Sequence, residues 1–88
     1  MTKIACVIVT FNRKALLAEA LESVLTQREP PEYVFVIDNA STDGTEAAVR
    51  QQFDFDGQRL TYVRCDQNLG GSAGFATGIR LALRTDCD

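Results

Sequence analysis

The chain has 88 residues, 45% hydrophobic and 24% charged, with a formal net charge of −3 and no histidine. This balance suits one small globular unit and excludes the basic footprint of a nucleic-acid binder. Without histidine, Ser-His-Asp and Cys-His catalysis and histidine-ligated metals are excluded within these residues. A chain this short buries only about 60–65% of its unfolded surface, so its stability is expected to be marginal. No apolar run approaches the roughly 18 residues of a membrane span, and the N-terminus lacks a leader pattern. The expected location is cytoplasmic, with any membrane association supplied by residues outside this sequence. Cys6, Cys65 and Cys87 are odd in number and widely spaced, which is neither a disulfide framework nor a zinc site.

Residues 3–9 (Lys-Ile-Ala-Cys-Val-Ile-Val) form a continuous apolar, β-branched run, which fits a strand covered on both faces, as in a parallel sheet. Asn12 then stands where a helix cap would, and Leu17, Leu21, Val24 and Leu25 recur at helical spacing up to about Gln27. Pro30 and Pro31 end that helix. Residues 33–37 (Tyr-Val-Phe-Val-Ile) read as a second buried strand. Ser41, Thr42 or Asp43 is placed to cap a second helix that runs to about Phe53 and buries Val49 and Phe53. Gly57 suits a turn position of positive φ in Asp54-Phe55-Asp56-Gly57. Residues 60–64 make a third strand. A third helix is expected from about Ser72 to Leu83, with Phe75, Ile79, Ala82 and Leu83 as its inward stripe.

The order βαβαβα with short connections predicts an α/β fold, a three-layer Rossmann-like parallel sheet with strand order 3-2-1. In that order the first strand is an edge, although its sequence reads as a central strand. An uncovered apolar edge invites pairing. Another strand is therefore expected to cover it, from further residues or from a second copy of the chain, which makes a homodimer through this edge a candidate assembly.

Open α/β sheets take ligands beyond the carboxyl ends of their strands. Those ends carry Thr10-Phe11-Asn12-Arg13, then Asp38-Asn39-Ala40-Ser41-Thr42-Asp43, and then segment 68–78, Asn-Leu-Gly-Gly-Ser-Ala-Gly-Phe-Ala-Thr-Gly. Such loops suit a phosphorylated ligand, because glycine permits close backbone approach and free N–H groups at a helix start attract phosphate. Two readings of Asp38 stay open: a carboxylate accepting the N3–H of uracil or thymine, or an Asx-turn shaping its own loop. Arg13 is an exposed first-turn arginine or a phosphate contact. Segment 68–78 is not G-x-G-x-x-G, since Leu69 occupies a glycine position, and it lacks the Gly-Lys-Ser/Thr of a Walker A loop. Gly78 inside a helix costs about 1 kcal/mol relative to alanine, so close packing is expected there. Asp54-Phe55-Asp56 and Asp86-Cys87-Asp88 have the chemistry to hold Mg²⁺ or Mn²⁺. The first falls at the opposite end of the sheet and the second has no strand to carry it to the pocket, so both read as solvated ends.

Taken in order, Val-Ile-Val-Thr-Phe-Asn-Arg at 7–13, Val-Ile-Asp-Asn-Ala-Ser-Thr-Asp-Gly-Thr at 36–45 and Asn-Leu-Gly-Gly-Ser-Ala-Gly-Phe at 68–75 carry a family likeness. Over nearly its whole length the chain resembles the N-terminal, nucleotide-binding part of family 2 glycosyltransferases of the GT-A fold. The third segment is most similar to the rhamnosyltransferase and galactofuranosyltransferase branch, which points to cell-wall or polysaccharide biosynthesis. The resemblance implies inverting transfer of a sugar from a UDP- or dTDP-linked donor to a hydroxyl of an acceptor saccharide or lipid-linked glycan. It implies nucleotide binding by Thr10, Asn12, Arg13, Asp38, Asn39, Asn68, Gly70 and Gly71. Thr10 would lie against the base and Asp38 would recognise it. Asn68, with the backbone of Gly70 and Gly71, would line the ribose and diphosphate side, and Arg13 would neighbour the pyrophosphate.

A divalent metal, Mg²⁺ or Mn²⁺, is expected for the complete enzyme. In the family its Asp-x-Asp follows a fourth strand, and the general base comes later. Thr85-Asp86-Cys87-Asp88 stands where that strand would begin. The expectation is one partial domain over residues 1–88, without catalytic residues or metal ligands and inactive alone. Two other classes are weighed against this one. A nucleotidyltransferase of sugar-nucleotide synthesis would carry a glycine-rich basic loop where Thr10-Phe11-Asn12-Arg13 stands. A non-catalytic module would assemble through the open sheet edge.

Overall fold

The computed structural model describes residues 3–87. They form β1 (Ala5–Thr10), α1 (Lys14–Leu25), β2 (Tyr33–Asp38), α2 (Thr45–Gln52), β3 (Leu60–Arg64) and α3 (Gly70–Ala82). The strands are parallel in the order β1-β2-β3, so β1 is an outer strand as its place in the chain predicts. Thr10, Asp38 and Arg64 share the last row of the register. The ladder continues one step further, with the N–H of Asn39 donating to the carbonyl of Thr10 at 2.9 Å and that of Cys65 to Asp38 at 2.8 Å.

Side chains alternate across an extended strand. One face therefore collects Cys6, Ile8, Val34, Val36, Leu60 and Tyr62, which pack with Leu17 and Leu21 of α1 and Val49 of α2. Leu21, Val36 and Val49 are fully buried, and each such side chain stabilises by about 1.5–3 kcal/mol. Phe53 and Phe55 close this core partly.

Val7 and Val9 point to the other face, towards α3, and α3 meets them without side chains. A Cβ on Gly78 would lie 2.2 Å from Val7 Cγ1, and one on Gly74 would lie 2.8 Å from Val9 Cγ1. The close packing expected at Gly78 is present, but the expected inward stripe is not. Phe75, Ile79 and Leu83 are 49%, 53% and 76% exposed. Their spacing gives the helix correctly and its buried face wrongly, because the face that approaches the sheet is the one lacking side chains.

At the amino ends of the strands, Asp86 accepts from Lys3 Nζ at 2.5 Å and from the Tyr33 hydroxyl. This ties the residues after α3 to the starts of β1 and β2. Asp56 Oδ1 accepts from the N–H groups of Gln58, Arg59 and Leu60. Both carboxylates thus serve local structure far from the strands' carboxyl ends; Asp88 lies outside the described residues. Among the described residues, no helix is long and apolar enough to cross a membrane.

Candidate functional site

A cavity of about 580 Å³ opens beyond the carboxyl ends of the strands, beside the outer edge of β1. Thr10 and Arg13 line it from the first loop, Asn39 from the second, and Asn68, Gly70 and Gly71 from the third, with Phe11, Leu16 and Leu17 as an apolar wall. Six of the eight residues singled out in the sequence therefore meet in one cavity. Asn12 and Asp38 are outside its lining.

Asn12 is not a helix cap. Its φ is +49°, in the left-handed region, and α1 begins after Arg13 with no side-chain cap. Asn12 instead joins two loops. Its N–H donates to Ser41 Oγ at 2.8 Å, and its Oδ1 accepts from the Thr42 N–H at 2.7 Å. The loop geometry that brings Asn12 to Ser41 and Thr42 outweighs its capping preference. Asp43 reinforces the join, accepting from the Lys14 N–H at 3.4 Å as well as from the N–H and hydroxyl of Thr45. The Thr45 hydroxyl is the main reason the Asp43 carboxyl titrates below its ordinary range. In this way Asp43 caps the start of α2 from just before Gly44, its cap residue.

Asp38 and Asn39 are neighbours that face opposite sides of the sheet. Asp38 points into the α1/α2 layer, where it is completely buried. Its Oδ1 accepts from the Ser41 N–H at 2.9 Å and its Oδ2 from the Tyr62 hydroxyl at 2.5 Å. The Asx-turn reading describes this geometry: both carboxylate oxygens are engaged by the protein, and no part of the side chain reaches the cavity. Asn39 points towards α3 and into the cavity wall, 3% exposed. Its Nδ2 donates to the carbonyl of Gly70 at 3.1 Å, while its Oδ1 is buried without a partner among the described residues. A buried polar atom left unpaired costs free energy, commonly 1–3 kcal/mol as an order of magnitude, so such an atom calls for an explanation.

The third loop turns into α3 through Gly70, whose φ is +87°. Asn68 Oδ1 accepts from the Gly70 N–H at 2.9 Å. The next N–H groups of the first turn have no intrahelical partner, and the positive end of the helix dipole lies there. Arg13, exposed at the cavity, adds a full positive charge. Arg64 is used differently, its guanidinium donating to the carbonyl of Ser41 at 2.9 Å. The cavity thus offers an unpaired acceptor, helix N–H donors and a cation. Among the described residues, no three His, Cys, Asp or Glu side chains are grouped to hold a metal ion.

In the sequence Tyr62 belongs to no motif, and Ser41 reads only as a helix cap. Tyr62 is within reach of the period-two alternation that puts it on the same sheet face as Asp38, whereas no strand pattern extends to Ser41. That alternation also separates Asp38 from Asn39, and so identifies which of the two meets the cavity.

The family model of glycosyl transferase family 2 matches residues 5–84. The chain is 35% identical over 88 residues to the galactofuranosyltransferase GlfT1 of Mycolicibacterium smegmatis, covering 99% of this chain and 28% of that protein. It is 36% identical over 83 residues to the abequosyltransferase RfbV of Salmonella typhimurium, covering 89% of this chain and 24% of the relative. Among solved structures, the mannosyltransferase PcManGT from Pyrobaculum calidifontis, in complex with GDP-Man and Mn²⁺, superposes with a TM-score of 0.79 at 30% identity. That match covers 90% of this chain and 24% of the mannosyltransferase. The chain spans about a quarter of the length of these proteins.

Proposed function

The chain belongs to glycosyl transferase family 2, and from that premise we propose that it forms the nucleotide-sugar-binding part of a glycosyltransferase. The complete enzyme would move a sugar, with inversion, from a nucleoside diphosphate to a hydroxyl of an acceptor saccharide or lipid-linked glycan, in cell-wall or polysaccharide biosynthesis. The observation that carries the binding role is the unpartnered Oδ1 of Asn39 beside the first turn of α3. An acceptor without a donor, next to N–H donors without acceptors, complements a nucleoside carrying phosphate: the nucleoside brings O–H and N–H groups and the phosphate brings oxygens. Thr10, Asn68 and the apolar wall would border the nucleoside, and Arg13 would face the diphosphate. Asp38 and Asn12 would contribute by shaping the loops.

UDP- and dTDP-linked sugars are the proposed donors. That the solved mannosyltransferase holds GDP-Man and Mn²⁺ supports a nucleotide-sugar donor and a divalent metal, Mg²⁺ or Mn²⁺, for the complete enzyme. The described residues do not fit that ion, so its ligands are proposed to come from other residues. The chain alone is accordingly expected to bind without turnover. A cytoplasmic location belongs to the same proposal.

The test is metal-free calorimetric titration of the 88-residue chain with UDP, dTDP and GDP. Saturable binding of UDP or dTDP, weaker for GDP and lost in Asn39→Ala, is expected. Folded protein that binds none of the three would overturn the reading.

One observation favours a second partner. β1 is an outer strand whose residues, Ala-Cys-Val-Ile-Val-Thr, include no charge or proline to block pairing. A homodimer through this edge is therefore proposed for the isolated chain. Light scattering that finds only monomer at high concentration would refute it.

A further inference from the structure

We propose that Tyr62 is a positioning residue for the nucleotide site: its hydroxyl holds Asp38, and Asp38 holds the turn that aims Asn39 at the cavity. The inference rests on the nucleotide-binding reading above for what Asn39 does, and on contacts within the chain for how it is held.

The turn from Asp38 to Ser41 is held at both ends by β3. At one end Tyr62 donates to Asp38 Oδ2 at 2.5 Å; at the other, Arg64 donates to the Ser41 carbonyl at 2.9 Å. Between them Asp38 Oδ1 closes the turn on the Ser41 N–H. The turn also stores strain, since Ala40 sits at φ +65°, a conformation that costs a residue with a Cβ roughly 1–2 kcal/mol and persists only when its surroundings impose it. Asn39 lies inside this turn, so the direction of its side chain follows from how the turn is fixed.

Tyr62 is built to hold a position. Its ring meets Phe55 edge-on at 5.4 Å between centroids, and the Arg50 guanidinium lies 5.5 Å from its centre. Burial, and then the bond to Asp38, push the phenol well above its ordinary range, so it stays protonated and remains a donor. With the ring anchored independently of the hydroxyl, Tyr62→Phe removes one bond and little else. It leaves a fully buried carboxylate oxygen without its donor, which favours any rearrangement that lets Asp38 find another. The turn stays tied by Arg64, by Asn12 and by the bond of the Asn39 N–H to Thr10, so its response is a small one, a change in the direction of the Asn39 side chain.

Tyr62→Phe, Asp38→Ala and the double variant, each titrated with UDP, test this; alanine rather than asparagine is used at position 38 because an amide there could still donate to the Tyr62 hydroxyl. Tyr62→Phe is expected to weaken UDP binding about 5- to 10-fold, on the order of one hydrogen bond. The titration is made at a temperature where the variant is still folded, since losing the donor to a buried carboxylate should lower the melting temperature by several degrees. The double variant should bind no worse than the weaker single variant, because both substitutions break the same bond. Unchanged affinity in Tyr62→Phe, or losses that simply add, would overturn the proposal. A ligand-free readout keeps it testable if UDP fails to bind. In a ¹⁵N-edited spectrum the side-chain amide signals of Asn39 should shift or broaden in Tyr62→Phe, while those of Gln51 and Gln52 on α2 hold still. An unmoved Asn39 signal overturns the positioning role. A moved signal in a chain that does not bind UDP supports it and refutes the nucleotide reading alone.

Discussion

The two faces of the sheet are packed by opposite means. Towards α1 and α2, interlocking side chains such as Leu17, Leu21, Val36 and Val49 make a core of ordinary thickness. Towards α3, the backbone at Gly74 and Gly78 rests directly on Val9 and Val7. The first face excludes water with apolar bulk, and the second buries Phe35 and Ile37 of β2. The second sets a distance: it brings the first turn of α3 close enough for Asn39 Nδ2 to reach the Gly70 carbonyl. Both layers contribute stability, whereas the site geometry rests mainly on the α3 layer, and substitutions can pull the two apart.

The largest effect is expected from Leu21→Ala, which opens a cavity under a fully buried side chain and should cost about 3 kcal/mol by urea unfolding. UDP affinity of the protein still folded at low temperature should be unchanged. Gly78→Ala should cost about 2 kcal/mol through overpacking against Val7, and it should weaken UDP binding as well, because α3 must lift to make room. Equal affinity in Gly78→Ala and the wild type would break the comparison at its root.

Ala40→Gly acts on neither layer. Relieving the left-handed alanine should raise stability by about 1 kcal/mol, as read by a higher urea midpoint. Acid sharpens the account of the loops. Asp43 is held below its ordinary range chiefly by the Thr45 hydroxyl, and Asp56 chiefly by the N–H of Gln58. A carboxylate depressed in the folded state adds stability above its unfolded pKa and loses it as pH falls through the folded value. Stability should therefore decline below about pH 4, and the decline should be shallower in Asp43→Asn. The smallest effect is expected from Glu46→Gln: the exposed Arg50–Glu46 pair at 2.9 Å should contribute no more than about 0.5 kcal/mol.

Strand order, the three loops at the carboxyl ends of the strands and most of the cavity lining were legible in the sequence, because apolar runs and polar strand ends are local patterns. The errors share one cause, the choice of direction for a side chain. Phe75, Ile79 and Leu83 look like a buried stripe until it is clear that β1 admits only glycine against it. Asp38 looks like the ligand group because a carboxylate is the stronger acceptor, yet strand alternation turns it into the core and leaves Asn39 at the cavity. Asn12 looks like a cap because the residues that claim it, Ser41 and Thr42, lie 29 and 30 positions away. Local propensity gives no sign of a partner at that distance.

Residue-resolved amide shift mapping of the ¹⁵N-labelled 88-residue chain, titrated with UDP in the absence of metal, tests the central claim most directly. Saturable shifts centred on Thr10, Asn39, Asn68, Gly70 and Gly71, with β3 residues Thr61 and Val63 quiet, are the predicted result. Shifts centred instead on the amino ends of the strands, around Pro31, Asp56 and Leu60, or no shifts in folded protein, would contradict it.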